Sequence, residues 1–254
     1  MELRAKYKAS ALGFVWSLLN PAMYLVVFYV AFNLILGAGI PRYPIYLLSG
    51  LLVWNLFTTA LAAGTGSIVA NAGLVKKVWF PREVLALSAI GAAVVHFLLQ
   101  SLVLVAALAV FRHPVDVAFL PLLPLALFAL LLLVSGLALL LSALNVYLRD
   151  IQHFLELALL AWFWMTPVIY SYNLITAHFD GGNFPALLNP VTPIVLTFQR
   201  ALYGSFGGPD VVPLGPGVLW HLRNLGVVIA AASVLLVIAL TVFRRLEGNL
   251  AEEL

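Results

Sequence analysis

Long stretches of this chain carry almost no charged residue, and each is long enough to cross a lipid bilayer as a helix. A helix needs about 20 mostly apolar residues to span a hydrocarbon core of roughly 30 Å. Several of the stretches are longer than that, which permits tilt. Six can be counted, at Ala11–Leu36, Tyr46–Ala70, Val84–Phe111, Val117–Leu144, Ile151–Tyr170 and Val218–Phe243. We therefore predict an all-α integral membrane protein with six transmembrane helices.

The composition excludes a soluble fold. Hydrophobic residues make up 64% of the chain and charged residues 9%, against about 45–50% and about 25% in soluble domains. So few charges cannot cover a polar surface, and residues 1–254 are interpreted as a single transmembrane domain. The first apolar stretch is too long for a signal peptide, so no cleavable signal is expected. The absence of cysteine excludes thiolate metal sites and a cysteine nucleophile.

The distribution of basic residues predicts which side each end of the chain occupies. An even number of spans places both termini on one side, and cytoplasmic segments are enriched in Lys and Arg. With a cytoplasmic N-terminus, nine of the 13 basic residues lie inside and four outside. The inner set is Arg4, Lys6, Lys8, Lys76, Lys77, Arg82, Arg149, Arg244 and Arg245, and the outer set is Arg42, Arg112, Arg200 and Arg223. The net charge of +3 reflects this bias and indicates no nucleic-acid partner.

The segment 171–217, on the predicted outer side, does not fit a plain transmembrane helix. It holds six prolines, seven glycines and three charged residues. Within it, Pro193 suits the first residue of a helix, and Ile194, Val195, Phe198 and Leu202 would then share one face. Non-helical backbone is tolerated at membrane depth only against protein or a water-lined cavity. We predict an amphipathic helical hairpin between spans five and six that dips into the outer leaflet and caps a pathway, with a helix lying on the membrane surface as the alternative.

A charged island, Asn71–Glu83, separates the second and third spans on the cytoplasmic side. If its centre is helical, Leu74, Val75, Val78 and Trp79 form an apolar face with Lys76, Lys77 and Phe80 opposite. Pro81 and Glu83 suit the first turn of the next helix. Such a short amphipathic helix can lie on lipid or dock in the groove of a partner protein, and the spacing favours neither.

Motifs for chemistry are missing from the chain. It contains no Gly-Lys pair and hence no P-loop, no zinc-binding His-Glu-x-x-His and no G-x-S-x-G elbow. His96 and Glu156 are the ionisable residues placed inside predicted spans, where a charge costs roughly 2.5–3.5 kcal/mol. His96 and Gln100 share a helix face, which favours a polar contact between helices, and Glu156 lies about two turns into its span. The chain is therefore not expected to be an enzyme or to bind a metal.

Aromatic residues are concentrated in the first and fifth spans. Tyr24, Phe28 and Phe32 follow one another at a spacing of four with Tyr29 adjoining, and Trp162, Phe163, Trp164 and Tyr170 lie in the outer half of the fifth span. An interfacial belt explains the second group equally well, and core packing explains the first. The third interpretation is a pathway lined by rings whose flat faces suit a sugar chain.

Five blocks of the sequence, in chain order, resemble one protein family. They are KYKASALGFVWSLLNP (Lys6–Pro21), LVKKVWFPREVLALS (Leu74–Ser88), NVYLRDI (Asn145–Ile151), FWMTPVIYS (Phe163–Ser171) and LNPVTPI (Leu188–Ile194). The family is the membrane permease of bacterial ABC transporters that export lipid-linked polysaccharides such as O antigens, capsules and teichoic acids. The resemblance implies six spans in the cytoplasmic (inner) membrane, a homodimer, and two copies of a separate ATPase that binds ATP and Mg²⁺. No cofactor is then expected in this chain, which agrees with the missing P-loop.

The resemblance also implies roles for particular residues. Residues 1–16 would form an amphipathic interface helix with Arg4, Lys8 and Trp16, a short one because its block starts soon after Met1. Residues 71–83 would be the coupling helix that inserts into the ATPase, through Leu74, Val75, Lys76, Lys77, Val78, Trp79, Phe80, Pro81, Arg82 and Glu83, with Arg149 and Asp150 as a second contact. The segment 171–217 would hold the outer gate, with Asn189, Pro190, Pro193, Phe198 and Arg200. Tyr24, Phe28, Tyr29, Phe32, Trp162, Phe163, Trp164 and Tyr170 would line the channel.

The mechanism expected from this resemblance places a pathway between the first and fifth spans of two copies. Closure of the ATPases would push on Leu74–Glu83, open the outer hairpin and move the glycan outward. Arg42, Arg112, Arg200 and Arg223 are candidates for binding the phosphate of the lipid carrier, or are ordinary residues at helix ends. The alternatives are an ABC exporter of lipids or drugs, an ion-coupled flippase that depends on His96 or Glu156, and a membrane glycosyl- or phosphotransferase with a metal-binding carboxylate cluster.

Overall fold

The structure, a computed structural model, describes residues 23, 26–35, 40–78, 80–178, 188–204 and 217–248. The predicted interface helix with Arg4, Lys8 and Trp16 lies outside the described residues, as do Tyr24, Trp79 and most of the predicted first span. The side chain of Phe32 is likewise outside them.

Within the described part of the chain every regular element is a helix. Four helices are long and apolar enough to cross a membrane: α1 (Tyr43–Ala70), α3 (Glu83–Val110), α4 (Leu122–Tyr147) and α8 (Val218–Glu247). The shorter elements are a π-helical turn (Tyr29–Ile35), α2 (Ala72–Val75), α5 (Ile151–Trp164), α6 (Asn173–His178) and α7 (Val191–Leu202). The all-helical prediction is confirmed, and the count of six spans stays a prediction.

The fourth predicted span starts later than its apolar stretch suggests. The prediction placed its start at Val117, whereas α4 begins at Leu122, directly after Pro121. Pro121 has no N–H with which to bond the Val117 carbonyl, so a helix that began at Val117 would lack its first hydrogen bond. Residues 117–120 form turns instead.

Helix α1 forms the centre of the bundle. It is buried along most of its length, whereas α3 and α8 leave long apolar faces exposed. Lipid offers no hydrophobic drive for helices to associate, so close packing of small residues becomes important. At Gly64 of α1, an added Cβ would lie 2.7 Å from the Ala138 Cβ of α4. Gly136 of α4 meets α8 in the same way, with the Leu236 nitrogen 3.2 Å from such a Cβ.

The helix bundle has two ends. We call them the island end, where residues of the island lie, and the hairpin end, where α7 lies. At the island end, Tyr147 OH donates to the Leu246 carbonyl (3.2 Å), and Arg82 Nη1 donates to the carbonyl of Glu247. At the hairpin end, Arg200 of α7 pairs with Asp116, which lies between α3 and α4. The described residues of the island and helix α7 of the segment 171–217 therefore lie at opposite ends of the bundle.

The predicted fifth span, Ile151–Tyr170, is helical only over α5, which ends at Trp164. Its 14 residues make a helix of about 21 Å, shorter than a hydrocarbon core of roughly 30 Å. Residues 165–170 continue the chain in non-helical form, and Tyr43 OH at the start of α1 donates to the Ile169 carbonyl (2.9 Å). The predicted end of this helix is wrong because Pro167 has no N–H with which to continue the ladder.

Helix α7 is buried inside the hairpin end. Every residue from Val191 to Ala201 is buried, including Thr197 and Gln199 on its polar side. A helix lying on the membrane surface would keep one face exposed, so α7 is instead inserted against protein. It starts at Val191, before the predicted Pro193, because Asn189 Oδ1 accepts a hydrogen bond from the Val191 N–H (3.0 Å) and so satisfies a first-turn donor.

Replacing Gly64 tests the close approach of α1 and α4. Gly64→Ala places a methyl group against the Ala138 side chain, so the helices must separate, and overpacking of this kind costs about 1–3 kcal/mol. We expect the thermal denaturation midpoint in detergent to fall by several degrees. Gly91→Ala on α3 is the matched control, because an added Cβ there meets nothing within 4 Å. Equal midpoints for the two variants would contradict the packing described for α1.

Candidate functional site

A cavity of about 480 Å³ opens between the first described segment, α1 and α5. Its aromatic wall consists of Phe28, Trp54, Phe163 and Trp164, and its polar residues are Asn55, Thr58 and Glu156, with three leucines between them. We call this cavity the aromatic groove. It extends from Glu156 to Trp164, which is about 12 Å along α5.

The rings of the groove wall form a connected set. The centroid of Phe163 lies 5.4 Å from that of Trp54 and 5.9 Å from that of Phe28. Trp164 follows at 5.8 Å from Phe163 in an edge-to-face arrangement. Aromatic pairs at such separations attract one another beyond their buried area. The wall is therefore held in shape by contacts among three different segments of the chain.

The structure brings together only some of the predicted channel residues. Phe28, Phe163 and Trp164 line the groove. Trp162 instead packs edge-on against Phe57 at 5.0 Å, and Tyr29 packs against the core. Tyr170 lies beyond the groove and donates through its hydroxyl to the Trp164 carbonyl (2.8 Å). Trp54, Asn55 and Thr58 were missed by the sequence analysis because their apolar stretch shows no aromatic periodicity.

Non-helical backbone at residues 165–170 borders the end of the groove nearer α7. Tyr46 OH donates to the Tyr170 carbonyl (2.7 Å), beside the bond from Tyr43 to Ile169. From α7, Gln199 Nε2 donates to the Pro167 carbonyl (3.1 Å). These carbonyls would otherwise lack partners away from water, which costs free energy. Side chains of α1 and α7 thus substitute for the helical ladder that α5 loses.

Asn189 joins the end of α5 to the start of α7. Its Oδ1 accepts from Trp162 Nε1 (2.8 Å) as well as from the Val191 N–H. Its Nδ2 donates to Thr166 Oγ1 (2.8 Å). Because one side chain contacts both segments, a displacement of α7 acts directly on the end of α5. Asn189 was predicted as an outer-gate residue, and the structure shows what it contacts.

Arg200 pairs with Asp116 in a largely buried ion pair (3.1 Å). The guanidinium carbon also lies 4.6 Å from the centroid of the Phe119 ring, an arrangement that favours the cation. His221 of α8 packs edge-on against the same ring at 5.3 Å, and its Nδ1 lies 3.0 Å from Thr197 Oγ1. Arg200 thereby ties α7 to the loop between α3 and α4, and its surroundings are those of a structural residue.

A second set of contacts holds the C-terminal end of α7. Tyr203 OH donates to the Pro41 carbonyl (2.7 Å), and burial raises the pKa of this hydroxyl to about 12, so it remains a donor at physiological pH. Arg42 Nη1 donates to His113 Nδ1 (3.1 Å), which leaves His113 Nε2 to donate to the Tyr203 carbonyl (2.9 Å). Arg42 has a positive φ of 49°, a conformation that these contacts must stabilise.

The island is less helical than its pattern predicts. Helix α2 covers only Ala72–Val75, and a further turn is closed by the Val78 N–H on the Leu74 carbonyl (3.0 Å). Pro81 has no N–H with which to continue a helical ladder, and Phe80 lies in a bend. Val75, predicted on the docking face, is buried in a cluster with Phe243, whereas Leu74 and Val78 are 45% and 52% exposed.

Leu74, Lys76, Lys77 and Val78 make up an exposed patch, which we call the island surface. The second predicted contact, Arg149 and Asp150, is also exposed and lies at the island end. There Gln152 lies close to Gly66, whose added Cβ would be 2.5 Å from Gln152 Nε2. Both predicted docking segments are thus at the end of the bundle opposite α7. Among the described residues, no three His, Asp or Glu side chains are grouped so that they could hold a metal ion.

Comparison with known proteins identifies the family. The profile of the ABC-2 type transporter family matches residues 1–203. The chain therefore belongs to the ABC-2 type transporter family, as the resemblance of its five blocks predicted, and it is a multi-pass membrane protein of that class.

The chain is also similar to individual proteins with assigned names. An O-antigen export system permease protein RfbA of Klebsiella pneumoniae is 27% identical over 99% of this chain and 91% of its own length. The protein of the same name from Myxococcus xanthus is 32% identical over 84% of this chain and 81% of its own length. The polysialic acid transport protein KpsM of Escherichia coli is 31% identical over 29% of each chain.

Substitution of Arg200 distinguishes its structural role from phosphate binding. Arg200→Gln leaves Asp116 without its buried partner, a change that costs a few kcal/mol. We expect a clearly lower thermal denaturation midpoint. The double variant Arg200→Gln/Asp116→Asn should recover most of the lost midpoint, because it removes the unpaired carboxylate. Arg223→Gln serves as the control, since Arg223 is exposed at the same end. A stable Arg200→Gln variant would refute the role described for the ion pair.

Proposed function

We propose that this chain is the transmembrane subunit of an ABC exporter that moves a lipid-linked polysaccharide across the cytoplasmic membrane. The observation that carries the proposal is the likeness to O-antigen export permeases over 99% of the chain. KpsM, a polysialic acid transport protein, aligns with part of it, so the proposed cargo class is a polysaccharide of the O-antigen, capsule or teichoic acid type. Lipid and drug export within the ABC class is the second candidate.

The proposed assembly contains two copies of this chain and two copies of a separate ATPase that binds ATP and Mg²⁺. Support comes from the family, which is one of ABC transporters, and from the missing P-loop. ATP hydrolysis then takes place in the partner, and the permease contributes the pathway. A pathway lined by aromatic rings suits such a cargo, because the apolar C–H faces of sugars stack on aromatic rings. Stacking of this kind holds the sugar without strong polar binding.

The island surface is the proposed contact with the ATPase. Leu74 and Val78 are apolar side chains exposed next to two lysines, a composition suited to a partly apolar protein groove with an acidic rim. Arg149 and Asp150 would add a second contact at the same end. The island is linked to the bundle through Val75 and Arg82, so a force on the island would be transmitted to α3 and α8.

Opening at the hairpin end is proposed to move α7 away from residues 165–170. The bonds from Gln199 and Asn189 would then be exchanged for bonds to water or to the glycan. Phe198, predicted at the gate, packs edge-on against Phe97 of α3 at 6.2 Å, so it would slide along α3 as α7 moves. The lipid tail would remain in the bilayer while the sugars cross.

Deletion of the gene tests the proposed cargo. We expect the polysaccharide to disappear from the cell surface while its lipid-linked form accumulates at the inner face of the membrane, because synthesis does not require export. Immunoblotting of intact cells and of inverted vesicles measures both pools, and a plasmid copy should restore the surface pool. A deletion strain with normal surface polysaccharide and altered lipid or drug efflux would favour the second candidate.

Charge substitution on the island surface tests the ATPase contact. Leu74→Glu and Val78→Glu place carboxylates in the proposed apolar contact, and we expect at least about tenfold less ATPase to co-purify with the permease. Val117→Glu is the matched control, since Val117 is a valine that is 72% exposed at the hairpin end. Recovery of the ATPase at parental stoichiometry with both island variants would contradict the proposed contact.

A further inference from the structure

Glu156 lines the aromatic groove. Among the described residues its carboxylate takes part in no ion pair and no hydrogen bond. It follows the start of α5 by five residues, or about 7.5 Å, on a helix that is well exposed on this side. A carboxylate that faces lipid is unfavourable at membrane depth. Inside the groove, both carboxylate oxygens of Glu156 are available to accept hydrogen bonds from a polar ligand.

Two neutral polar groups lie in the same groove, on the facing helix α1. Asn55 and Thr58 are three residues apart and so lie on one face. The Thr58 hydroxyl donates to the Trp54 carbonyl (3.1 Å), which leaves its lone pairs to accept. The Asn55 amide makes no side-chain hydrogen bond within the described part of the chain. It therefore offers both a donor and an acceptor to a ligand.

Carbohydrates match this combination of surfaces. A sugar ring has hydroxyl groups at its edge, which donate and accept hydrogen bonds, and apolar C–H groups on its faces. The negative face of an aromatic ring attracts such C–H groups, and Trp164 is the most exposed ring of the groove wall at 54%. Carboxylates accept two hydrogen bonds, and amides can both donate and accept. A purely lipidic ligand would leave all three polar groups unsatisfied.

A second cavity in the bundle has an apolar lining, unlike the aromatic groove. A cavity of about 320 Å³ lies between α1, α3, α4 and α7, and Ser101 is its one hydroxyl-bearing residue. That hydroxyl already donates to the Phe97 carbonyl (2.8 Å). This cavity suits apolar groups alone. The carboxylate and amide of the aromatic groove have no counterpart in this cavity.

We infer that Glu156 and Asn55 bind the sugar hydroxyls of the cargo, while the exposed ring of Trp164 stacks against a sugar ring. The inference rests on the proposed function and adds a polar recognition element to it. Glu156 lies at the end of the groove nearer the island, and Trp164 lies at the end nearer α7. A glycan would therefore meet the hydroxyl-binding residues before the stacking residue on its way outward. Glu156 and Asn55 bind cargo in this arrangement and have no catalytic role.

Binding measurements on the permease–ATPase complex in lipid nanodiscs test the inference. The probe is the oligosaccharide released by mild acid from the lipid-linked polysaccharide of the host strain, titrated by calorimetry. Glu156→Ala should weaken its binding at least tenfold, and Asn55→Ala about fivefold, because each removes hydrogen bonds. Glu156→Gln retains one acceptor and gains a donor, so its affinity should stay within about threefold of the parent. Export of polysaccharide should fall in the same order.

Leu157→Ala is the matched control, because Leu157 is 69% exposed on the same helix and does not line the groove. Its affinity and export should equal those of the parent. Thermal denaturation and ATPase co-purification identify any variant that misfolds, and Asn55→Ala on α1 gives a test independent of α5.

The outcomes separate this inference from the proposed function. Parental affinity in both alanine variants, in a strain whose export still requires the permease, would overturn the inference and leave the proposed function standing. Loss of export in Glu156→Gln with unchanged affinity would also overturn it, in favour of a proton-linked role. A gene deletion without effect on surface polysaccharide would instead refute the proposed function itself.

Discussion

The carbonyl groups of residues 167–170 impose the requirement on which the rest of the structure depends. α5 ends at Trp164, and beyond it the backbone crosses to the hairpin end without a helical ladder. Away from water, each carbonyl must find a donor in the protein. Tyr43 and Tyr46 of α1 and Gln199 of α7 provide those donors. α1 and α7 must therefore both be in place before the chain can follow this path.

This requirement explains why α7 is buried so completely. A helix that supplies donors to a neighbouring backbone must lie within hydrogen-bond distance of it, and Asn189 fixes the start of α7 to the end of α5. The other end of α7 is held by the Arg200–Asp116 pair and by His113. Since residues 165–170 border the aromatic groove, any movement of α7 changes the end of the groove that lies nearer α7. The fold thus couples the hairpin end directly to the proposed pathway.

The island end is built differently, because no described contact covers its exposed apolar side chains Leu74 and Val78. Val75 anchors the island in the cluster with Phe243, and Arg82 bonds to the C-terminal end of α8. Leu74 and Val78 remain exposed beside lysines. An apolar pair can stay exposed at modest cost when another protein covers it in the assembly. The polar groups at the hairpin end bond to one another, whereas the island end exposes apolar side chains. This difference is consistent with the proposal that a partner ATPase binds at the island.

The sequence by itself determined the membrane class, three of the long helices to within a few residues, and the family. These follow from local properties: apolar length fixes a span, and the five blocks are continuous in the chain. It did not determine that α5 stops at Trp164, that Val75 turns inward, or that Asn55 and Glu156 share a groove. The end of α5 follows from nearby Pro167, which the apolar length of the stretch does not register. The burial of Val75, the shared groove and the path of residues 165–170 depend on residues far apart in the chain, such as Tyr43 and Ile169, which are separated by 126 positions. Periodicity in the sequence shows which face of a helix is apolar. Only the tertiary structure decides which distant donor bonds to a free carbonyl and which polar side chains lack a hydrogen-bond partner.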